Sequence, residues 1–291
     1  VTVAFGLVYV IWGSTYLGIS YAVRTMPPLL MAGARFSLAG LILYLTSRAR
    51  GAPRPTAAQW RNGAIVGTLL LLGGNGLVTW AEQRVPSGLT ALLVATSSLW
   101  MVLLAWAAGG RAPTRRAWAG IACGLAGVAL LVGPGATGGA RVDQPGAAAI
   151  LLSALTWAIG TVIARRVDLP ASTLLATGVQ MLTGGTTLLL AGLAFGEGHR
   201  FVLAQVSRES AIAFAYLLFV GSLVGYSAYT YLVAHTTPAR LGTYSYVNPV
   251  VAVLLGWAIA GEAIGARTVL AMAVIVLAVM ILSLRARPVA D

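Results

Sequence analysis

The chain of 291 residues is 58% hydrophobic and only 9% charged, with a mean hydropathy of +0.87. Soluble domains carry about 25% charged residues, so this composition belongs to a polytopic membrane protein, and no stretch is polar enough for a separate soluble domain. The formal net charge of +12 does not mark a nucleic-acid surface, because all 19 basic residues are Arg and nearly all are scattered through short connections.

Ten apolar stretches predict helices at about 3–22, 28–47, 62–81, 87–109, 115–132, 146–165, 170–194, 211–234, 239–260 and 266–284. Each is near the roughly 20 residues needed to cross about 30 Å of hydrocarbon. Breakers separate them at Pro27-Pro28, Pro53 and Pro55, Pro86, Pro113, Gly133-Pro134-Gly135, Pro145, Pro170 and Pro238. The single Cys123 lies inside an apolar stretch and cannot form an intrachain disulfide.

Polar and aromatic residues recur at spacings of three and four, which places them on one face of a helix. The first stretch carries Tyr9, Trp12 and Tyr16, with Ser14 and Thr15 beside them. The second carries Arg35, roughly 10 Å deep at about 1.5 Å per residue. That cation either snorkels to the interface or holds an anionic solute group or a helix C-terminus. The third presents Asn75, Thr79 and Glu82 next to Gly73-Gly74 and Gly76, and the fourth Thr96 and Trp100 with Ser97 and Ser98. The fifth is mostly Ala, Gly, Leu and Val, and its Gly120-x-x-x-Gly124 reads as a packing seam within a monomer, with a dimer as the alternative.

The sixth stretch gives Ser153, Trp157 and Thr161, the seventh Gln180, and the eighth Ser222, Tyr226 and Tyr229, with His235 near its end. In the ninth, Pro249 follows Asn248 and frees a carbonyl one turn earlier, near Ser245, so that polar backbone can face a cavity; a plain kink is the competing reading. The tenth has no polar side chain from Ala271 to Leu282. Stretches one, three, four, six, eight and nine are therefore expected around a cavity, with five and ten outside. Trp60, Trp106, Trp118 and Trp257 read as interfacial anchors. Trp12, Trp100 and Trp157 sit mid-span, where an indole N–H needs a partner, and read as cavity residues.

The second five stretches read as a diverged copy of the first five. Trp12 answers to Trp157 and Arg35 to Gln180, both 145 positions apart; Asn75 answers to Tyr226 and Trp106 to Trp257, both 151 apart. An odd number of spans per copy inverts one against the other, a pattern typical of transporters with a site near the bilayer midplane. The copies are expected at 1–135 and 136–291. Alternate connections hold 12 and 6 Arg. The richer set is Arg48, Arg50, Arg54, Arg61, Arg111, Arg115, Arg116, Arg165, Arg166, Arg240, Arg285 and Arg287, which puts both termini in the cytoplasm. The poorer set is Arg24, Arg84, Arg141, Arg200, Arg208 and Arg267. Gly110-Arg111 aligns with Gly261-Glu262, and the opposite charges fit homologous loops on opposite faces.

At Trp12-Gly13-Ser14-Thr15-Tyr16, Pro27-Pro28-Leu29, Ala34-Arg35-Phe36, Tyr246-Val247-Asn248-Pro249-Val250-Val251-Ala252 and Gly261-Glu262, the chain resembles the EamA family of the drug/metabolite transporter superfamily. The resemblance spans essentially the whole chain. It implies an all-α membrane protein of ten transmembrane helices, two inverted five-helix repeats around a central cavity, moving amino acids or other metabolites outward. It points most closely to bacterial exporters of aromatic amino acids in the inner membrane. Arg111 departs from the family pattern, where the first repeat would carry an acid.

The expected solute-binding residues are Trp12, Tyr16, Asn75, Thr79, Thr96, Trp100, Trp157, Thr161, Tyr226, Tyr229, Tyr244 and Asn248. Arg35, Gln180, Glu82 and His235 are candidates for charge or coupling. Rings would stack on Trp and Tyr while hydroxyls and amides meet the polar end of a small solute. Alternatives are an exporter of drugs, nucleosides or sugars on the same fold, a proton-coupled antiporter, or a channel. No Asp or Glu lies mid-span, which favours facilitated efflux over a proton relay. An enzyme is not expected: His-Glu-x-x-His is absent, no pair of intramembrane Asp exists, and His199 and His235 sit at helix ends. No cofactor or metal is expected, and membrane lipids are the other expected partners.

Overall fold

The computed structural model describes residues 1–107, 109, 112–132, 143–236, 241 and 243–283. Gly110, Arg111, the Gly133-Pro134-Gly135 breaker, Arg141, Pro238, Arg240, Arg285 and Arg287 lie outside the described residues, as does the side chain of Tyr246.

Among the described residues there are helices and connections but no strand. In chain order the helices are α1 (Thr2–Ala22), α2 (Pro28–Ala49), α3 (Ala57–Ala81), α4 (Ser87–Val94), α5 (Ser97–Ala107), α6 (Arg115–Val132), α7 (Gln144–Ala164), α8 (Thr173–Ala194), α9 (Glu197–Arg200), α10 (Arg208–His235), α11 (Tyr244–Ala260) and α12 (Ala266–Ser283). Seven segments are long and apolar enough to cross a membrane: α1, α2, α3, Ser87–Leu104 across α4 and α5, α7, α8 and α10. Shorter apolar helices cover Val247–Ala260 and Ala266–Ile281.

Three departures from the sequence expectation have local causes. The α3 helix starts at Ala57 rather than near residue 62, because Thr56 and Gln59 close a capping box that satisfies two backbone donors. Likewise α10 starts at Arg208, where the Ser207 hydroxyl accepts from the Ser210 amide. The stretch expected as one helix from 87 to 109 breaks between α4 and α5. There Thr96 and Ser98 donate their hydroxyls to the carbonyls of Leu93 and Ala95 at 2.7 and 2.9 Å, competing with the regular backbone ladder.

The packing is glycine-led. The α2 and α8 backbones touch: a Cβ on Gly40 would lie 2.5 Å from the Leu182 amide nitrogen, and one on Gly185 2.5 Å from that of Ser37. Close approach of this kind supplies van der Waals contact where lipid offers no hydrophobic drive between helices. The same device joins α6 to α12, where Gly127 faces Ile275 and Gly124 faces Ala278, and Gly124 also meets Leu99 of α5. Contacts elsewhere come in matching sets. The α1 helix packs on α10 and α11, while α7 packs on α3 and on α4 and α5.

Candidate solute pocket

Three helices widen to π geometry at places that matter for the centre of the molecule. The widened segments are Val8–Trp12 in α1, Thr68–Gly76 in α3 and Leu217–Tyr226 in α10. Such segments bond five residues apart instead of four, which re-aims the side chains they carry, and they gather at functional sites. Here they carry Trp12, Asn75 and Tyr226, all of which line a central pocket.

That pocket holds about 660 Å³ of empty space, its opening included. Its wall comprises Trp12, Thr15, Tyr16 and Ile19 of α1, Arg35 and Phe36 of α2, Gly74, Asn75 and Val78 of α3, and Val94 of α4. Ser153 and Trp157 of α7, Gly221 and Tyr226 of α10, and Tyr244 of α11 complete it. Each Trp lies against a glycine. A Cβ on Gly225 would come 2.9 Å from Trp12 Nε1, and one on Gly74 2.8 Å from Trp157 Cε3.

The aromatic residues form one cluster. The ring of Trp12 lies 5.5 Å from Trp157, 4.6 Å from Tyr229, 5.6 Å from Tyr244 and 6.2 Å from Tyr226. Edge-to-face and tilted pairs at these distances are each worth about 1 kcal/mol beyond their buried area. The cluster nevertheless leaves polar atoms without aligned partners. Trp157 Nε1 and the Tyr244 hydroxyl are buried and make no hydrogen bond of ordinary geometry, although Trp157 itself, Ser97, Ser245 and Tyr229 lie near that hydroxyl. Buried polar groups are normally satisfied, and small turns of these side chains would close a bond between them or offer both donors to a guest.

Arg35 is the charged member of the wall. It is 3% exposed and lines the pocket instead of running out along its helix to an interface. Its Cζ lies 4.0 Å over the Phe36 ring, a cation–π contact, while Nε and Nη1 are buried with no hydrogen-bond partner. Glu82, just past the end of α3, is 5% exposed, and both of its carboxylate oxygens lack partners. The charge of Glu82 interacts with those of Arg35 and Glu262.

A second cavity, of about 970 Å³, lies on the other side of the ring cluster and includes Thr161, Arg165, Thr173, Gln180 and Tyr229. Thr161 and Tyr229 hydrogen-bond at 3.0 Å, and the Tyr226 hydroxyl donates to Gln180 Oε1 at 3.4 Å.

The remaining expected residues lie off both cavities. Thr79 is buried and donates to the Asn75 carbonyl, and Thr96 donates to that of Leu93. Trp100 keeps a buried, unpartnered Nε1, and Asn248 a buried, unpartnered Oδ1. His235 is exposed at the end of α10, stacked 4.1 Å from the Tyr231 ring, away from the central pocket. Ile19, Phe36, Val78 and Val94 line the pocket without having been expected there, since apolar residues in an apolar helix give no distinguishing signal. Gly74 and Gly221 supply space alone.

Glu262 has a separate place. Gly261 ends α11 in the left-handed region (φ 68°), where glycine avoids the Cβ clash, and the Glu262 amide bonds back to Gly256. The carboxylate then accepts from the Ser87 amide and hydroxyl and the Gly88 amide at 2.7–3.1 Å, at the start of α4. Glu197 does the same for Leu29 and Leu30 at the start of α2. Among the described residues no cluster of three His, Cys, Asp or Glu forms a possible metal site.

The EamA-like transporter family matches residues 2–133 and again residues 144–284. The chain is 42% identical over 257 residues to the "Uncharacterized inner membrane transporter YedA" of Escherichia coli strain K12, covering 87% of this chain and 81% of that protein. It is 25% identical to a "Probable amino-acid metabolite efflux pump" of Salmonella typhimurium, over 88% of this chain and 87% of that one. It is 26% identical to a "Probable terminal-alkyne amino-acid exporter" of Streptantibioticus cattleyicolor, over 88% and 84% respectively. A solved crystal structure shares the fold with a TM-score of 0.69 at 21% identity, over 96% of this chain and 95% of that one.

Proposed function

The chain belongs to the EamA-like transporter family and is a membrane transporter, and from that premise we propose that it exports small metabolites, namely amino acids, aromatic ones included, by alternating access. The observation that carries the reading is the central pocket itself. It joins clustered Trp and Tyr rings to one buried guanidinium whose Nε and Nη1 have no partner. A solute with a ring and a carboxylate matches both features: the ring meets Trp12, Trp157 and Tyr244, and the carboxylate takes the free N–H groups of Arg35. Asn75 and the unbonded Trp157 Nε1 are within the same wall for the remaining polar atoms.

The proposed architecture is two inverted repeats, 1–135 and 136–291, in the inner membrane with both termini cytoplasmic. It is supported by the double family match, by the paired helix contacts and by the equivalence of the π segments around Asn75 and Tyr226. Rocking of one repeat against the other would expose the central pocket to each side in turn.

A second reading has its own observation. Glu82 is a buried carboxylate with two unpartnered oxygens beside the Arg35 charge. Burial favours a proton on such a group, and the Arg35 charge favours its release. Export would then be an antiport in which an entering proton occupies Glu82.

The deciding experiment is counterflow in proteoliposomes against a panel of amino acids, nucleosides and sugars. Phenylalanine and tryptophan should compete, and their decarboxylated amines should compete poorly. Competition from nucleosides or sugars but not from aromatic amino acids would overturn the substrate reading.

A further inference from the structure

A lateral groove separate from the solute pocket runs between the start of α2, α3, α7 and the end of α8, with about 2150 Å³ of empty space. Its walls are apolar, and they stand open: Leu152 is 50% exposed and Phe195 75%. At one end its rim carries Arg24, Arg84 and Arg200, all exposed. The Arg24 guanidinium lies 3.9 Å over Tyr21 and that of Arg84 5.2 Å from Trp80, so two of the three are braced by aromatic rings. The acid on the same rim, Glu197, is buried and committed to the backbone of Leu29 and Leu30. Among the described residues none of the three Arg is ion-paired. These three are half of the six Arg on the Arg-poor face of the chain, gathered at one groove mouth.

We propose that this groove binds one anionic phospholipid, with its phosphate held by Arg24, Arg84 and Arg200 and its acyl chains laid along Leu72, Leu152 and Phe195. The apolar walls alone would accept any lipid; the uncompensated basic rim selects the negative headgroup. Basic residues at headgroup depth attract anionic lipid by an amount that corresponds to roughly fivefold in affinity each. Charge complementarity and the apolar trough below it together distinguish a phospholipid from a soluble anion, which has no use for the trough.

The test uses the full chain in detergent micelles with phosphatidylglycerol or phosphatidylcholine added, read by native mass spectrometry and by thermal stability. The expected result is phosphatidylglycerol retention at least about tenfold above phosphatidylcholine. The triple variant Arg24→Gln, Arg84→Gln and Arg200→Gln should lose that preference, whereas Arg50→Gln, Arg54→Gln and Arg61→Gln at exposed sites elsewhere should keep it. Leu152→Trp, which fills the trough and leaves the rim intact, should lower retention of both lipids, and it decides the matter alone if the triple variant misfolds. Equal retention of the two lipids, undiminished phosphatidylglycerol in either groove variant, or its displacement by a transported amino acid would overturn the assignment.

Discussion

The ring of Tyr229 stands 4.6 Å from that of Trp12, yet the two face different hollows, Trp12 the central pocket and Tyr229 the second cavity. With Trp157 and Tyr226 they make a layer of rings between the two spaces. Polar bonds brace that layer at Thr161–Tyr229 and Tyr226–Gln180. A barrier built from tilted ring pairs can part by side-chain rotation and small helix shifts, which is what a carrier requires of its closed side.

Tyr229→Ala should make that barrier leak. Each ring pair is worth about 1 kcal/mol, so removing Tyr229 should speed passive efflux of preloaded solute from proteoliposomes about fivefold or more. Efflux at the wild-type rate would show that the ring layer is not the barrier.

Trp12→Ala and Trp157→Ala should each weaken counterflow of aromatic amino acids about tenfold in apparent affinity, through loss of stacking against the solute. Glycine-sized solutes should be affected much less. Unchanged selectivity in both variants would reduce the pair to packing.

Arg35→Gln should raise the KM for carboxylate-bearing solutes about tenfold to a hundredfold, in line with a lost charge-assisted hydrogen bond of about 1.5–3 kcal/mol. Solutes lacking the carboxylate should be spared. A uniform loss across both kinds would instead assign Arg35 to holding the helices together.

If export is proton-coupled, solute loaded inside vesicles should leave faster when the outside is acidified, and Glu82→Gln should abolish that response while leaving solute counterflow intact. A wild-type rate indifferent to the imposed gradient would settle the choice in favour of facilitated efflux.

Glu262→Gln should lower thermal stability by about 1–2 kcal/mol, because the carboxylate both bonds the first amides of α4 and meets the positive end of its dipole. Its effect on solute affinity should be small, since Glu262 does not line the pocket.

Much of the central pocket's wall is legible as periodic exceptions in apolar helices. Trp12, Tyr16, Asn75, Trp157, Tyr226 and Tyr244 stood out by their helical spacing in otherwise apolar stretches, and each lines the central pocket. The same logic misplaced others. Thr79 and Thr96 carry the same hydroxyl signal but spend it on the carbonyls of Asn75 and Leu93. Thr161, Gln180 and Tyr229 share the helical faces of their neighbours yet fall beyond the rings, in the second cavity. Spacing fixes a face and says nothing of depth relative to a barrier made by other helices.

Composition and apolar periodicity alone establish a helical membrane protein, because hydrocarbon forces each backbone to satisfy itself within its own segment, and that requirement is written locally along the chain. Three decisions belong to the assembled structure: the π widening that re-aims Asn75 and Tyr226, the inward turn of Arg35 and the commitment of Glu262 to the start of α4. Each depends on helices distant in the chain, which are not visible in the residues of a single segment.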